Sequence, residues 1–423
     1  MLGKRSARTY LEMGTAALAA ILLVTCHKAL SPDGVCSYEP LPAGAQVPSG
    51  QGGIQVLAST DVYFAVRDTS GKQTASEHVN AITPVPPGDY QVVLNGSTHS
   101  TSAQSKMVTK CKTGAVLVNG KTDEYYAVLD SATRQLASAH VASAVSLFPG
   151  SYTVRLNNSD VGANLQAGAL LELKPGMLNV DVGTDEYYAV LDGATRQLAS
   201  SHVGRALGVF AGSYLVRINN SDAKAEVRTG ESTNVSAGTL VVHGSTDEYY
   251  AVMNNAGVQL ASAHLEKPLA LVPGTYNVKV NNTTTPVTMV SAVTTEVKTG
   301  AVVLQGSTDE YYAIIDSAGT QLASAHLGRA LSLMPGAYRA KLNNIAMTVQ
   351  VDAGHSGEYQ SGSLTVRTAG SDYYAVLDAS GTQLVSKQVN QPVSVPAGKY
   401  SVRLGNNSRP ATVTAGQSIV LNW

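Results

Sequence analysis

Between residues 300 and 361 short apolar runs alternate with turn residues, and no helical period runs through them. Residues 301–305 form a first expected strand and residues 309–316 a second. Asp316-Ser317-Ala318-Gly319 puts Asp at the start and Gly at the end of a turn, as a type I turn prefers. Residues 321–326 return as a third strand and complete a hairpin. Residues 330–333 are a fourth. Pro335-Gly336 then turns the chain, with Pro fixing φ and Gly free to take a positive value. Residues 338–342 make a fifth strand, Asn343-Asn344 another turn, and short strands near 347–351 and 357–360 close the unit. Seven short strands with frequent turns predict a small antiparallel sandwich.

The pattern recurs. An aromatic pair stands at Tyr63-Phe64, Tyr125-Tyr126, Tyr187-Tyr188, Tyr249-Tyr250, Tyr311-Tyr312 and Tyr373-Tyr374, in steps of 62 residues without insertion or deletion. Gly52, Gly114, Gly176, Gly238, Gly300 and Gly362 keep the same step. So do Gly88, Gly150, Gly212, Gly274, Gly336 and Gly398, each followed two residues later by Tyr. The markers divide the chain into module 1 (52–113), module 2 (114–175), module 3 (176–237), module 4 (238–299), module 5 (300–361) and module 6 (362–423). The expected fold class is all-β: six tandem small antiparallel β-sandwich modules forming a rod or curved array. Lys298-Thr299-Gly300 runs straight from one module into Ala301 of the next, and a joint that short restricts bending.

Composition narrows the function. Only 14% of the 423 residues are charged and the formal net charge is −1. A nucleic-acid footprint needs clustered Lys and Arg, so no nucleic-acid partner is expected. Val, Thr, Tyr, Gly, Asn and Ser dominate the modules, which is strand and turn chemistry. No nucleophile elbow, zinc-protease motif, phosphate loop or dinucleotide fingerprint occurs.

The N-terminus reads as an export signal, residues 1–25, with Lys4, Arg5 and Arg8 ahead of the apolar stretch 14–25. That stretch is too short to span a bilayer comfortably. It ends at Leu23-Val24-Thr25-Cys26, which resembles a bacterial lipobox, although Gly, Ala or Ser is usual where Thr25 stands. The resemblance implies lipid attachment at Cys26, and His27 in place of Asp implies an outer-membrane destination. Cleavage slightly downstream and an uncleaved anchor are the alternatives. Residues 26–51, rich in Pro, Gly and Ser, read as a flexible tether. If Cys26 carries lipid, Cys36 and Cys111 remain as a pair in an oxidising compartment. A disulfide between them would staple the leader to module 1; two free thiols are the alternative.

The motif Leu-x-Leu-x-Pro-Gly-x-Tyr-x-Val, carried by Leu269, Leu271, Pro273, Gly274, Tyr276 and Val278, resembles the hairpin of PEGA-type, carboxypeptidase-regulatory-like and Cna B-type domains. That resemblance implies prealbumin-like or immunoglobulin-like sandwiches on exported proteins. It implies no particular activity.

Candidate chemistry lies around the aromatic pairs. Asp-Glu precedes the pair at Asp123-Glu124, Asp185-Glu186, Asp247-Glu248 and Asp309-Glu310, and His78, His140, His202, His264 and His326 follow in the paired strand. Neighbouring Asp and Glu on a strand face opposite ways, and one His with one carboxylate is too few ligands for closed zinc. Neither a metal nor any other cofactor is expected, and no catalytic residue is assigned. Each Tyr pair should place one ring in the core and one outside. Tyr125, Tyr126, Tyr187, Tyr188, Tyr249, Tyr250, Tyr311, Tyr312, Tyr373 and Tyr374 are therefore the candidate ligand-binding residues, one of each pair. Two functions follow as expectations. One is a non-enzymatic outer-membrane lipoprotein, held by its lipid, that serves as a stalk or docks an envelope protein. The other is a multivalent binder of cell-wall or extracellular glycan.

Overall fold

The computed structural model describes residues 29–423, so the expected signal peptide and Cys26 lie outside the described residues. Every regular element among the described residues is a β-strand. Two compact units are distinguished. One holds module 1 with residues 146–150 and 164–170; the other holds 116–145, 151–163 and 171–423.

Module 5 shows the plan within the second unit. Its strands are Gly300–Gln305, Tyr311–Ile315, Gln321–His326, Leu331–Leu333, Gly336–Leu342, Ile345–Val351 and Ser356–Arg367. The third, second, fifth and sixth strands form a four-stranded antiparallel sheet in that order. The fourth, first and seventh form the facing sheet. Alternation decides what fills the space between. In the fifth strand Ala340 and Leu342 are buried while Lys341 is exposed. Val302, Leu304, Leu331 and Leu333 meet Tyr312, Ile314, Leu342, Val349 and Val351 from the other sheet.

The facing sheet departs from an all-antiparallel sandwich in one pairing. The seventh strand runs parallel to the first, with Ala301 beside Ser356 and Gln305 beside Gln360. The same parallel pair closes modules 1, 3, 4 and 6. A last strand that runs in the direction of the first leads directly into the next module. At the end of module 5 it does so without interruption, as Ser356–Arg367 is one continuous strand. The repeating glycine at the head of each first strand permits this crossing. A Cβ at Gly300 would lie 2.2 Å from the Asp352 carbonyl oxygen, and one at Gly238 would lie 2.5 Å from that of Val290.

In module 5 the second repeating glycine has a different reason from the one expected. Gly336 does not adopt a positive φ. A Cβ there would sit 3.3 Å from the Tyr338 ring, so the glycine makes room for that ring. The Tyr338 hydroxyl donates to the Met334 carbonyl at 2.8 Å, across the Pro-Gly corner. Tyr90, Tyr214, Tyr276 and Tyr400 repeat the bond.

In the first unit the leader is ordered as part of the sheet rather than as a free tether. Cys36–Pro40 pairs antiparallel with Met107–Lys112, the last strand of module 1, and Cys36 lies opposite Cys111. The two cysteines form a disulfide and are fully buried. The Pro, Gly and Ser flanking this strand hid it from a composition reading. Asp33, whose carboxyl is held low chiefly by the Ser31 hydroxyl, closes the preceding turn.

Candidate functional site

The side-chain period of two separates each aromatic pair. Tyr126, Tyr188, Tyr250, Tyr312 and Tyr374 are 0–1% exposed. Their alternation partners Tyr125, Tyr187, Tyr249, Tyr311 and Tyr373 are 60–67% exposed. The buried five therefore leave the set of candidate ligand residues, because their faces are enclosed by the core. Their hydroxyls are occupied too. That of Tyr312 lies 2.9 Å from the Val302 carbonyl and 2.7 Å from the Arg329 carbonyl. It ties the first strand to the loop behind the third. Tyr126, Tyr188 and Tyr374 make the same two contacts. Burial pushes all five phenols well above the ordinary tyrosine range. Phe64 fills the position in module 1.

The outward ring does not stand alone. Strand register sets Tyr311 opposite His326, and the two rings lie tilted by 42° with their centroids 3.8 Å apart. His326 Nδ1 is 2.7 Å from Asp309 Oδ1. Tyr63–His78, Tyr125–His140, Tyr187–His202 and Tyr249–His264 have their centroids 3.7–3.8 Å apart, each His within 3.5 Å of an Asp. Asp309 is 90% exposed, so this contact contributes little stability and mainly orients the imidazole. Each of these Tyr rings has a His imidazole against it, tilted by 38–42°, and remains 60–64% exposed. Module 6 keeps Tyr373 but has Ser371 and Gln388 where the Asp and His stand elsewhere.

The Glu beside the Asp has a separate task that a sequence reading did not assign. Glu248 Oε1 accepts from Asn281 Nδ2 at 2.9 Å, and Oε2 accepts from the Ser332 backbone N–H of module 5 at 2.7 Å. Asn281 Nδ2 also reaches the Ser332 carbonyl at 2.8 Å. Glu186 and Asn219 hold Ala270 in the same way, and Glu310 and Asn343 hold Ser394. Glu124 and Asn157 hold Gly208. The second Asn adds a bond to the next hairpin: Asn158 to the Leu198 carbonyl, Asn220 to that of Leu260 and Asn344 to that of Leu384. The signal was present in the sequence. Glu and the first Asn occur together in modules 2–5, and module 6 has Asp372 with Gly405 at those two positions.

Among the described residues no group of three His, Cys, Asp or Glu side chains is arranged to hold a metal ion. The site can offer flat aromatic faces, amides and hydroxyls.

No protein-family model and no curated protein matches the chain. Solved structures with partial similarity include the TIE protein of Bacillus anthracis, at 13% identity over 92% of this chain and 68% of that one, with a TM-score of 0.14. BcpA, the major pilin subunit of Bacillus cereus, aligns at 8% identity over 74% of this chain and 98% of its own, with a TM-score of 0.12. The pilus adhesin SpaC of Lactobacillus rhamnosus GG aligns at 11% identity over 62% of this chain and 41% of its own, with a TM-score of 0.15.

Proposed function

We propose that the chain is a non-enzymatic envelope lipoprotein, exported and anchored in the outer membrane through Cys26, whose modules form a structural stalk or interaction array. The observation that carries this reading is the Glu–Asn clamp, repeated at four joints of the second unit. Side chains committed to holding one module against the next are a requirement of an array and not of a soluble catalyst. Deleting residues 238–299 tests it, because Glu186 and Asn219 then meet Ser332, a clamp partner already used in the chain. A stalk predicts that the remaining modules fold and that the longest dimension in small-angle scattering falls by about one module. An unchanged dimension contradicts it. The anchor is tested by palmitate labelling of the chain and of Cys26→Ala; equal labelling removes it.

The exposed Tyr rings favour a second reading, multivalent binding of cell-wall or extracellular glycan, since an aromatic face flanked by amides suits a sugar ring.

A further inference from the structure

The joints of the second unit do more than hold. Between modules 5 and 6 the outer face of the four-stranded sheet and the following hairpin enclose an open cleft of about 630 Å³. That volume is within the range of about 300–1,000 Å³ typical of small-molecule sites. Tyr311 forms one wall. Lys341, Gln321 and Ser324 lie on the same face, and Gln383 and Ser386 come from module 6. The floor is Ala313, small enough to leave the Tyr face accessible.

Gln321, Ser324, Gln383 and Ser386 are exposed, so packing does not require them, yet they recur. Gln at the head of the third strand and Ser three residues on are present in every module, from Gln73 and Ser76 to Gln383 and Ser386. The floor Ala also recurs, from Ala65 to Ala375. The seventh strand of modules 2 to 4 is comparably exposed and shows no such constancy. It reads Leu-Leu-Glu-Leu, Ser-Thr-Asn-Val-Ser and Thr-Thr-Glu-Val-Lys in modules 2 to 4.

The cation varies in an informative way. Arg155 and Arg217 are neutralised by bidentate pairs with Asp160 and Asp222 on the neighbouring strand. Lys279 and Lys341 occupy the equivalent places in modules 4 and 5. Their cross-strand neighbours are Thr284 and Ala346, which leaves the charge uncompensated on that face.

We propose that the cleft at the module 5–6 joint, and the equivalent residues Tyr249 and Lys279 of module 4 with Gln321 and Ser324 of module 5, bind a carboxylate-bearing polysaccharide. A sugar ring stacks on the exposed ring of Tyr249 or Tyr311, its acid group pairs with Lys279 or Lys341, and the Gln and Ser of the next module receive its hydroxyls. His264 and His326 back the two rings and hold them in the stacking orientation before ligand arrives. Two such sites on one glycan chain add avidity to weak single contacts. The proposal rests on the glycan reading and narrows it to two joints and one charge class.

The test is retention of the full chain on immobilised alginate, purified peptidoglycan and dextran. Retention on alginate or peptidoglycan and none on dextran is expected. Peptidoglycan alone would identify a cell-wall source of the carboxylates, and alginate alone a free polyuronate. Combining Lys279→Gln with Lys341→Gln should weaken binding about tenfold, equivalent to about 1.4 kcal/mol. Added salt should weaken the unmodified chain similarly and the Lys variants less. Tyr249→Ala with Tyr311→Ala should remove retention, while Leu170→Ala, at an exposed apolar residue of module 2, leaves it unchanged. Equal retention on dextran, insensitive to the Lys variants, overturns the acidic site and leaves the glycan reading standing. No retention on any of the three overturns both.

Discussion

Adjacent tyrosines in one strand divide two roles between them. The inner ring carries fold stability through its area and through a hydroxyl that serves two carbonyls. Tyr312→Phe keeps the area and strands those carbonyls, which should cost about 1–3 kcal/mol at neutral pH by denaturant titration. The pH dependence has a definite sign. Burial raises the Tyr312 pKa in the folded state, so its contribution is whole below the ordinary tyrosine value of about 10. As pH rises past that value the unfolded chain ionises first and stability falls. The gap between Tyr312→Phe and the unmodified chain should therefore narrow above about pH 10. A gap that widens there contradicts the assignment. At Gly300 a side chain has no room against the Asp352 carbonyl, so Gly300→Ala should destabilise far more than Gly193→Ala, whose Cβ would meet nothing within 4 Å and whose φ is not positive.

Strands and turns were the most legible level. The third strand of module 5 falls where apolar alternation and the flanking turns place it, and the Asn343-Asn344 turn adopts positive φ at both residues. What alternation does not report is pairing direction. The parallel seventh strand depends on where the next module begins, which is a non-local constraint. Hydrogen-bond partners between modules were similarly hidden, because Asn-Asn reads as a turn before it reads as a clamp. One joint shows how tightly such partners are matched. Ser159, Ser221 and Thr283 accept the backbone N–H of Phe210, Val272 and Met334. At the last joint the hydroxyl position is Ile345 and the N–H position is Pro396, which has no N–H to give. Thr283→Val should then cost about 1–3 kcal/mol, since it leaves the Met334 N–H buried without an acceptor. A Val at 345 should cost far less. In the first unit, removing the Cys36–Cys111 disulfide, which closes a separation of 75 residues, should lower module 1 stability by about 2–4 kcal/mol. Proteolysis of the 30–50 segment in Cys36→Ser against the unmodified chain reports it.

For the whole molecule the six-fold period made the all-β repeat readable without any structure, because three residue markers share one register. The position of the exposed face was not readable: both rings of each pair satisfy the same alternation, and only the sheet that packs against one of them decides. The acidic residues show the same limit. Asp309 and Glu310 are sequence neighbours, yet Asp309 orients an imidazole on the surface and Glu310 clamps a backbone N–H of module 6. That second role is the basis of the array reading, and it can be measured directly. Spin labels at Ala256→Cys and Ala379→Cys, in the turns of modules 4 and 6 and in a Cys26→Ala background, report the spread of distances across two clamped joints by pulsed electron resonance. One narrow distribution is predicted, broadening when Glu248→Ala and Glu310→Ala are added. A broad distribution in the clamped chain, or one that the Glu variants leave unchanged, would contradict the claim that these carboxylates hold the modules in register.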